Sequence, residues 1–466
     1  MNTVIVYLYH NLTHISLRKE LIFMNLEMIK KRTVQTILQF SVPAIIAMVL
    51  TSLITIVDGF FIGNYVGKEG IAAVNLGLPI LYVYLGIGIM IGVGGMAIAG
   101  MALGAQDSGK CIGVFNQTVV TVAVAVIAVS AIVGVFFNPI VSFAHMDADV
   151  ARYFTSYYRI MIIAYPVMMV NSALGMFIRG EGKPQLFMVV NVITVICNIV
   201  LDYVFIRWFG WGITGIATAS LLSVIIGFVL LLLFFLRKSD VYKFCRFTFS
   251  RKVLRDTVFI GSSELIGQMS MSISMFAYNW VILKTVGVAG VAAFTIVGYI
   301  AYLFNMIVVG FGQGASPLIS YSYGAEEITL SSQIRRKTNL FVFLTGAVIV
   351  LIMLLTSDWY SAVFVGNNEV KELIRSGIRI FVISFLFTGV NTITYFYFTS
   401  IGKAKESVII SSLRGFVLLL IGIVTLPHWF GMTGVWLVAP ITECITIIVS
   451  LSLIYKNDSA WNNPSP

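Results

Sequence analysis

The stretch from Phe40 to Ile62 is apolar except for Ser, Thr and one carboxylate, Asp58. It is long enough to cross a bilayer, because a membrane-spanning helix needs about 20 residues. A charge in the middle of such a helix costs about 2.5–3.5 kcal/mol on insertion scales, so acids there are rare and tend to be functional. Asp58 is either a structural carboxylate hydrogen-bonded near the helix end or, as we favour, part of an ion or proton site.

Apolar runs of this length recur along the whole chain. Of its 466 residues, 59% are hydrophobic and only 11% are charged, whereas soluble domains carry about 25% charged residues. The runs are too long and too continuously apolar to be barrel strands. The sequence predicts an all-α polytopic membrane protein with twelve transmembrane helices. The expected spans are 35–62, 71–103, 113–137, 153–178, 185–207, 212–236, 257–283, 291–322, 338–357, 375–400, 406–427 and 432–455.

Most of the 30 Lys and Arg residues fall on one side of these spans, and the positive-inside rule then predicts that both termini are cytoplasmic. The net charge of +10 therefore reflects topology and not nucleic-acid binding. We expect no signal peptide, because no small-residue cleavage site follows the short apolar run near the N-terminus, and Met24 and Met28 are alternative starts. The predicted organisation is an N-terminal extension (1–32), an N-lobe (33–236), a basic cytoplasmic linker (237–256), a C-lobe (257–455) and a cytoplasmic tail (456–466).

The two lobes contain an internal repeat at an offset of 220 residues. Because each lobe has six spans, both begin on the same side, and the repeat is parallel about a pseudo-two-fold axis along the membrane normal. Substrate sites in such transporters lie between the repeats. The matched segments are Gly67–Val74 with Gly287–Phe294, Gly92–Gly95 with Gly312–Ala315, Gly104–Gln106 with Gly324–Glu326, and Gly182-Lys183 with Gly402-Lys403; near span 6 Trp208–Gly210 matches Trp429–Gly431 at a drifted offset.

The intramembrane acids of the N-lobe break this symmetry, since Asp58 corresponds to Tyr278 and Asp202 to Gly422. Asn198 and Asp202 are four residues apart and share one helix face. Asp58 and Asp202 both fall late in spans that run outward, so they are expected at similar depth. The alternative for Asp202 is a helix-end carboxylate facing water. The predicted cation or proton site comprises Asp58, Asn198, Asp202, Tyr157 and Thr218.

Other polar residues receive weaker predictions. Glu264, about one turn into span 7, is a polar entrance residue or attracts substrate. Arg414 and Glu443 are expected to form a structural ion pair, and Asn171 and Asn391 to hydrogen-bond between helices. Methionine and aromatic side chains suit varied ligands, although ordinary packing explains each candidate equally well. The candidate substrate cavity is lined by Met48, Glu264, Met271, Met275, Asn279, Tyr299 and Gln313.

The four cysteines and four histidines show no metal-ligand spacing, and no Walker A sequence is present. No nucleophile constellation is apparent either. We therefore expect no cofactor, no resident metal, no ATP coupling and no enzymatic activity.

Taken in order on a six-plus-six repeat, these features resemble the multidrug and toxic compound extrusion (MATE) family, in its DinF-like and MepA-like bacterial branch. The resemblance covers nearly the whole chain from about residue 33. It implies a monomer in the bacterial cell membrane that exports cationic amphiphilic drugs by alternating access, in exchange for H⁺ or Na⁺. The segments that carry it are Pro43–Gly63, Arg179–Pro184, Asn198–Asp202, Gly212–Ala217, Arg414-Gly415 and Trp429–Trp436.

In DinF-like members an aspartate on helix 1, with an Asn and an Asp four apart on helix 5, lines a cation site in the N-lobe. Asp58, Asn198 and Asp202 match those positions, so the resemblance implies that they hold H⁺, which we favour, or Na⁺. The family's usual Asp-Pro is Asp202-Tyr203 here, which puts the local helix geometry in doubt.

Two alternatives remain. A flippase for lipid-linked oligosaccharides, from the related superfamily, is disfavoured by twelve spans and buried acids. A membrane-embedded enzyme is disfavoured by the absence of any catalytic motif.

Overall fold

The computed structural model describes residues 26–462, with side chains as far as residue 459. We number the long helical stretches of this part of the chain as spans. Spans 1–6 are Thr33–Tyr65, Lys68–Gly104, Ser108–Val135, Ala148–Gly180, Pro184–Arg207 and Gly212–Arg237; spans 7–10 are Arg251–Thr285, Val288–Gly324, Ile328–Phe364 and Asn368–Ser400. Span 2 consists of Lys68–Leu76 and Leu78–Gly104, span 10 contains a 3₁₀ turn at Val382–Ser384, and short helices lie at Leu26–Lys31 and Phe137–Phe143.

Spans 11 and 12 form one stretch, which begins with Ala404–Ser412 and a π-helical turn at Leu413–Val417 and continues as Leu418–Asn462. Its backbone leaves the helix at Gly431, where φ is 55° and ψ is −135°. Glycine suits this position because side chains with a Cβ rarely adopt a positive φ. When this stretch is counted as two passes, the described residues contain twelve long helical stretches, and every one except span 7 is long and apolar enough to cross a membrane. The predicted all-α, two-lobe fold class is confirmed.

Several helices extend beyond the predicted spans. Span 9 begins at Ile328 and not at 338, span 7 begins at Arg251 inside the predicted linker, and the last helix runs to Asn462 inside the predicted tail. Hydropathy reports where a helix leaves the lipid, whereas the helix itself ends where its backbone hydrogen bonds end. Local polar contacts support these extensions: the Ser250 hydroxyl accepts from the Val253 amide at the start of span 7.

The backbone reproduces the predicted repeat. Residues with a positive φ recur in pairs at the offset of 220: Gly67 (98°) with Gly287 (85°), Gln106 (60°) with Glu326 (63°), and Gly182 (87°) with Gly402 (75°). Gly210 (66°) pairs with Gly431 (55°) at the drifted offset of 221. Each pair ends a helix at the same place in the two lobes. The two six-span lobes are therefore structural copies of one another, as the sequence predicts.

The lobes meet through glycines at one end of the bundle. We call it the basic end, because it carries the basic linker 238–250. The turns 105–107, 181–183, 325–327 and 401–403 lie at the same end. Spans 2 and 8 cross there so closely that a Cβ on Gly104 would collide with the Tyr321 carbonyl, and a Cβ on Gly324 with the Met101 carbonyl. These two contacts are equivalent under the repeat, so the crossing lies on the pseudo-two-fold axis.

Glycines also join span 7 to span 2 and span 1 to span 8. A Cβ on Gly261 would meet the Met90 carbonyl, and a Cβ on Gly314 would meet the backbone of Ser41. In the opposite half of the same helices, Gly59 and Gly298 have no such neighbour within 4 Å. Among the described glycines, the close contacts between lobes thus lie from the middle of the bundle to its basic end.

The linker 238–250 is held by the N-lobe. The Asn116 amide donates to the Lys243 carbonyl at 2.9 Å and accepts from the Cys245 amide at 3.2 Å. The adjacent Gln117 does the same with both backbone groups of Ser250, at 2.8 and 3.0 Å. These four hydrogen bonds fix the linker to span 3.

A polar network ties spans 10, 11 and 12 together inside the C-lobe. Arg414, on the π-helical turn, donates to Glu443 at 2.6 and 3.1 Å and to Thr392 at 2.6 Å. Asn391 donates to the other Glu443 oxygen at 2.7 Å and accepts from Ser450 at 2.9 Å. The expected Arg414–Glu443 ion pair is thus present, with both side chains at most 18% exposed.

The first prediction concerns the glycine crossing. Gly324→Ala should lower the midpoint of thermal unfolding of the detergent-purified protein, because a Cβ has no room beside the Met101 backbone and overpacking costs about 1–3 kcal/mol. Gly113→Ala is the matched control, since a Cβ on that helical glycine meets nothing within 4 Å. Equal midpoints for the two variants would contradict the close crossing.

The second prediction concerns the buried ion pair. Glu443→Gln leaves the Arg414 charge without a compensating carboxylate, and breaking a buried pair in this way costs about 3–5 kcal/mol. Asp358→Asn should cost less than about 1 kcal/mol, because the Asp358–Arg375 pair at 2.7 Å is 69% and 37% exposed. Unfolding of both variants measured side by side gives the comparison, and similar losses would rule out a stabilising network.

Candidate cation site

Asp58 lies in the last third of span 1, away from the basic end. Its side chain is half-buried, and its Oδ2 accepts a hydrogen bond from the Ser220 hydroxyl of span 6 at 3.3 Å. The same hydroxyl accepts from the Asn198 amide of span 5 at 3.4 Å. Ser220 therefore joins the three spans at one point.

Asp202 stands one helical turn beyond Asn198 on the same face of span 5, and both side chains are fully buried. The Asp202 carboxyl faces that of Asp58 within reach of a hydrogen bond. Two carboxylates cannot bond to one another directly, because neither has a hydrogen to donate. The pair is complete only when a proton or a metal cation lies between them.

Four acceptor oxygens in this cluster are buried without a donor among the described residues. They are Asp58 Oδ1, Asn198 Oδ1 and both carboxyl oxygens of Asp202. Buried polar atoms are nearly always partnered, so each such oxygen needs an explanation. Oxygen ligands suit hard cations, and facing carboxylates share a proton readily. The donor set fits either H⁺ or Na⁺.

Tyrosines from span 4 enclose the acids. Tyr157, 5% exposed, interacts electrostatically with both Asp58 and Asp202, and Tyr165, 3% exposed, interacts with Asp58. The Tyr165 ring in turn packs at a tilt of 48° against Tyr84 of span 2, with 5.1 Å between ring centroids. The two span 4 tyrosines thus border the carboxyl pair.

The structure thus brings together four of the five predicted residues of this site: Asp58, Asn198, Asp202 and Tyr157. Thr218 differs, because its hydroxyl donates to the Thr214 carbonyl of its own helix at 2.7 Å. Ser220, two residues further and on the other side of span 6, supplies the hydroxyl that contacts Asp58. No sequence pattern distinguishes Ser220 from the other hydroxyl residues of this apolar helix.

The seven candidate lining residues do not form one pocket. Met271, Met275 and Tyr299 are exposed, Met48 and Asn279 are half-buried, and the Tyr299 ring packs on Phe364 at 6.2 Å. Glu264 is 6% exposed, its Oε1 has no donor among the described residues, and it interacts electrostatically with Tyr395.

Of the seven, Gln313 lines a small cavity between the lobes. The cavity is bounded by spans 2 and 4 of the N-lobe and spans 8 and 10 of the C-lobe. One of its other lining residues, Arg179, is a buried cation that the sequence did not single out as a site residue.

The family model described as MatE matches residues 43–204 and 265–425, one segment in each lobe. Among curated proteins, the Multidrug export protein MepA of Staphylococcus saprophyticus is 22% identical over 435 residues, covering 91% of this chain and 94% of that protein. The protein of the same name from Staphylococcus haemolyticus is 23% identical, covering 91% of this chain and 93% of that protein.

Solved structures share the fold at similarly low identity. A crystal structure of a MATE protein in complex with MaL6 aligns with a TM-score of 0.86 at 24% identity, covering 91% of this chain and 96% of the other. A MOP superfamily transporter from Pyrococcus furiosus aligns with a TM-score of 0.86 at 23% identity, covering 92% and 96%.

Proposed function

The chain belongs to the MatE family of multi-pass membrane transporters, and on that premise we propose that it exports cationic amphiphilic drugs in exchange for protons. The observation that carries the proposal is the pair of facing carboxyl groups, Asp58 and Asp202. Three oxygens of this pair, and Oδ1 of the neighbouring Asn198, have no hydrogen-bond donor among the described residues. The names of the MepA relatives support multidrug export as the task.

The positions of the contacts between lobes support alternating access. The basic end, which we propose to be cytoplasmic, is closed by the crossing of spans 2 and 8. The acid pair lies toward the opposite end, where a proton would enter from outside. A proton between Asp58 and Asp202 forms the hydrogen bond that two carboxylates cannot make, so its binding draws span 1 toward span 5.

Coupling requires that proton and drug favour different conformations. The proton-bound arrangement of span 1 would disfavour the drug and release it outside. When the basic end opens, the proton leaves to the cytoplasm, the carboxylates repel, and a new drug enters. The same oxygens also suit Na⁺, so the identity of the ion is tested separately below.

The third prediction tests the coupling role. Asp58→Asn removes the titratable carboxyl and keeps its size, so the variant should insert normally but lose efflux driven by an imposed pH gradient in vesicles. Asp149→Asn, an exposed carboxyl on a surface pair with Arg152, should transport like the wild type. Wild-type transport by Asp58→Asn would exclude Asp58 as the proton carrier.

The coupling ion is decided by dye efflux from cells or vesicles. With protons as the coupling ion, an uncoupler abolishes efflux, and removal of Na⁺ leaves it unchanged. With Na⁺ as the coupling ion, efflux fails in Na⁺-free buffer even when a pH gradient is imposed.

The fourth prediction distinguishes Ser220 from Thr218. Ser220→Ala removes the hydroxyl between Asn198 and Asp58, and a hydrogen bond to a charged group contributes about 1.5–3 kcal/mol, so transport at limiting pH gradient should fall about tenfold or more. Thr218→Ala removes only a bond within its own helix and should leave transport near the wild-type rate. Equal rates for the two variants would contradict the role of Ser220.

A further inference from the structure

Arg179, near the end of span 4 at the basic end, is a buried charge that forms no ion pair with any described residue. Arg179 is 3% exposed, and its guanidinium carbon lies 4.8 Å from the centroid of the Phe187 ring. Its Nη1 has no acceptor among the described residues. Arginine stays protonated in proteins, and an isolated buried charge costs several kcal/mol, so this site calls for an anion.

The neighbouring carboxylate cannot serve as that anion. Glu181 accepts from Lys183 at 3.0 Å, from the Ser239 hydroxyl at 2.5 Å and from the Asp240 amide at 3.0 Å. These three donors occupy both of its oxygens and hold the start of the linker. The charge of Arg179 is therefore not compensated through its own turn.

Arg179 borders the cavity between the lobes that Gln313 also lines, with Ser316 and Ser320 of span 8. The two serine hydroxyls donate to carbonyls of their own helix, at 2.8 and 3.2 Å. Gln313 Oε1 is buried, and no described residue donates a hydrogen bond to it. Rotating this amide by half a turn keeps its shape and offers N–H groups instead, because amide oxygen and nitrogen are interchangeable in outline.

The cavity has a volume of about 30 Å³, above the roughly 10–15 Å³ that a cavity needs to hold one water molecule. It therefore has room for an ion of about the size of water, such as a monatomic anion. We propose that this cavity binds a single chloride ion, held by the Arg179 guanidinium from the N-lobe and the Gln313 amide from the C-lobe.

Such an ion would act on the conformation of the transporter. Its two ligands belong to different lobes, and Ser320, which lines the cavity, also packs against Gly100 next to the crossing of spans 2 and 8. Bound chloride therefore stabilises the arrangement in which the basic end is closed. When the lobes separate there, the cavity opens and the ion is released.

The test is a chloride titration of the detergent-purified full chain, with gluconate replacing chloride at constant ionic strength. The midpoint of thermal unfolding of the wild type should rise with chloride and saturate, as binding to the folded state alone requires. Arg179→Gln should lose this response. Arg159→Gln, which removes an exposed arginine of the same span that also faces a phenylalanine ring, should keep it.

A second variant keeps the test decisive if Arg179→Gln fails to fold. Gln313→Leu retains the arginine and should weaken the apparent chloride affinity about tenfold, the loss of one hydrogen bond to an ion. No saturable response in the wild type, or an unchanged response in the variants, would show that the cavity holds water only and would overturn the proposal.

Discussion

The bilayer imposes the constraint on which the rest of this structure depends: no water is available to satisfy a polar group inside it. The backbone responds by being helical almost without interruption, and most hydroxyls return to their own helix, as Thr51 does to the Ala47 carbonyl at 2.9 Å. Larger polar groups must find partners in other spans, and the Arg414–Glu443 network does so completely. Among the described residues, the oxygens of Asp58 and Asp202 that have no hydrogen-bond donor, and the Arg179 Nη1 that has no acceptor, are exceptions. Incomplete groups in such a setting are candidates for binding an ion.

The helices of the two lobes follow the pseudo-two-fold repeat, whereas the buried charged and polar side chains do not. The glycine crossing at the basic end obeys the pseudo-two-fold axis, and so do the paired positive-φ turns. At the positions that correspond to Asp58 and Asp202, the C-lobe has Tyr278 and Gly422, and Tyr278 stacks on Phe294 at 4.6 Å. Conversely, Arg414 of the C-lobe corresponds to Thr194, whose hydroxyl bonds only to its own helix. The N-lobe therefore carries an acidic cluster with unpartnered oxygens, and the C-lobe carries an Arg414–Glu443 ion pair whose charges compensate one another. The proposed cation site accordingly belongs to the N-lobe alone.

The sequence was sufficient for the number of spans, the repeat and the meeting of Asp58 with Asp202, because each rests on a strong one-dimensional signal: apolar length, fixed spacing, or a position late in a span that runs outward. The sequence was insufficient wherever the rotation of a helix about its own axis decides which side chains face the neighbouring helices. In a membrane protein both the lipid-facing and the inward-facing sides of a helix are apolar, so periodicity does not reveal which residues face the partner helix. For this reason the sequence predicts Thr218 as the hydroxyl of the site, whereas Ser220 supplies it. For the same reason the seven predicted lining residues do not share one cavity, and the sequence does not single out Arg179 as a site residue. Helix ends such as Ile328 were misjudged because hydropathy marks lipid and not hydrogen bonding.

Span 1 connects the acid pair to the contact between the lobes. It is a continuous helix from Thr33 to Tyr65, with Asp58 in its last third and Ser41 and Ile45 packed against Gly314 and Gly310 in its first half. Pro43 lies between those two contact residues, and a proline inside a helix removes one backbone hydrogen bond and permits bending there. On the proposed mechanism, a displacement of Asp58 would pass along the helical turns between Asp58 and Pro43 and bend the helix at Pro43. The proposed binding of a proton at one end can thereby change the packing of glycines at the other without any contact between the two sites.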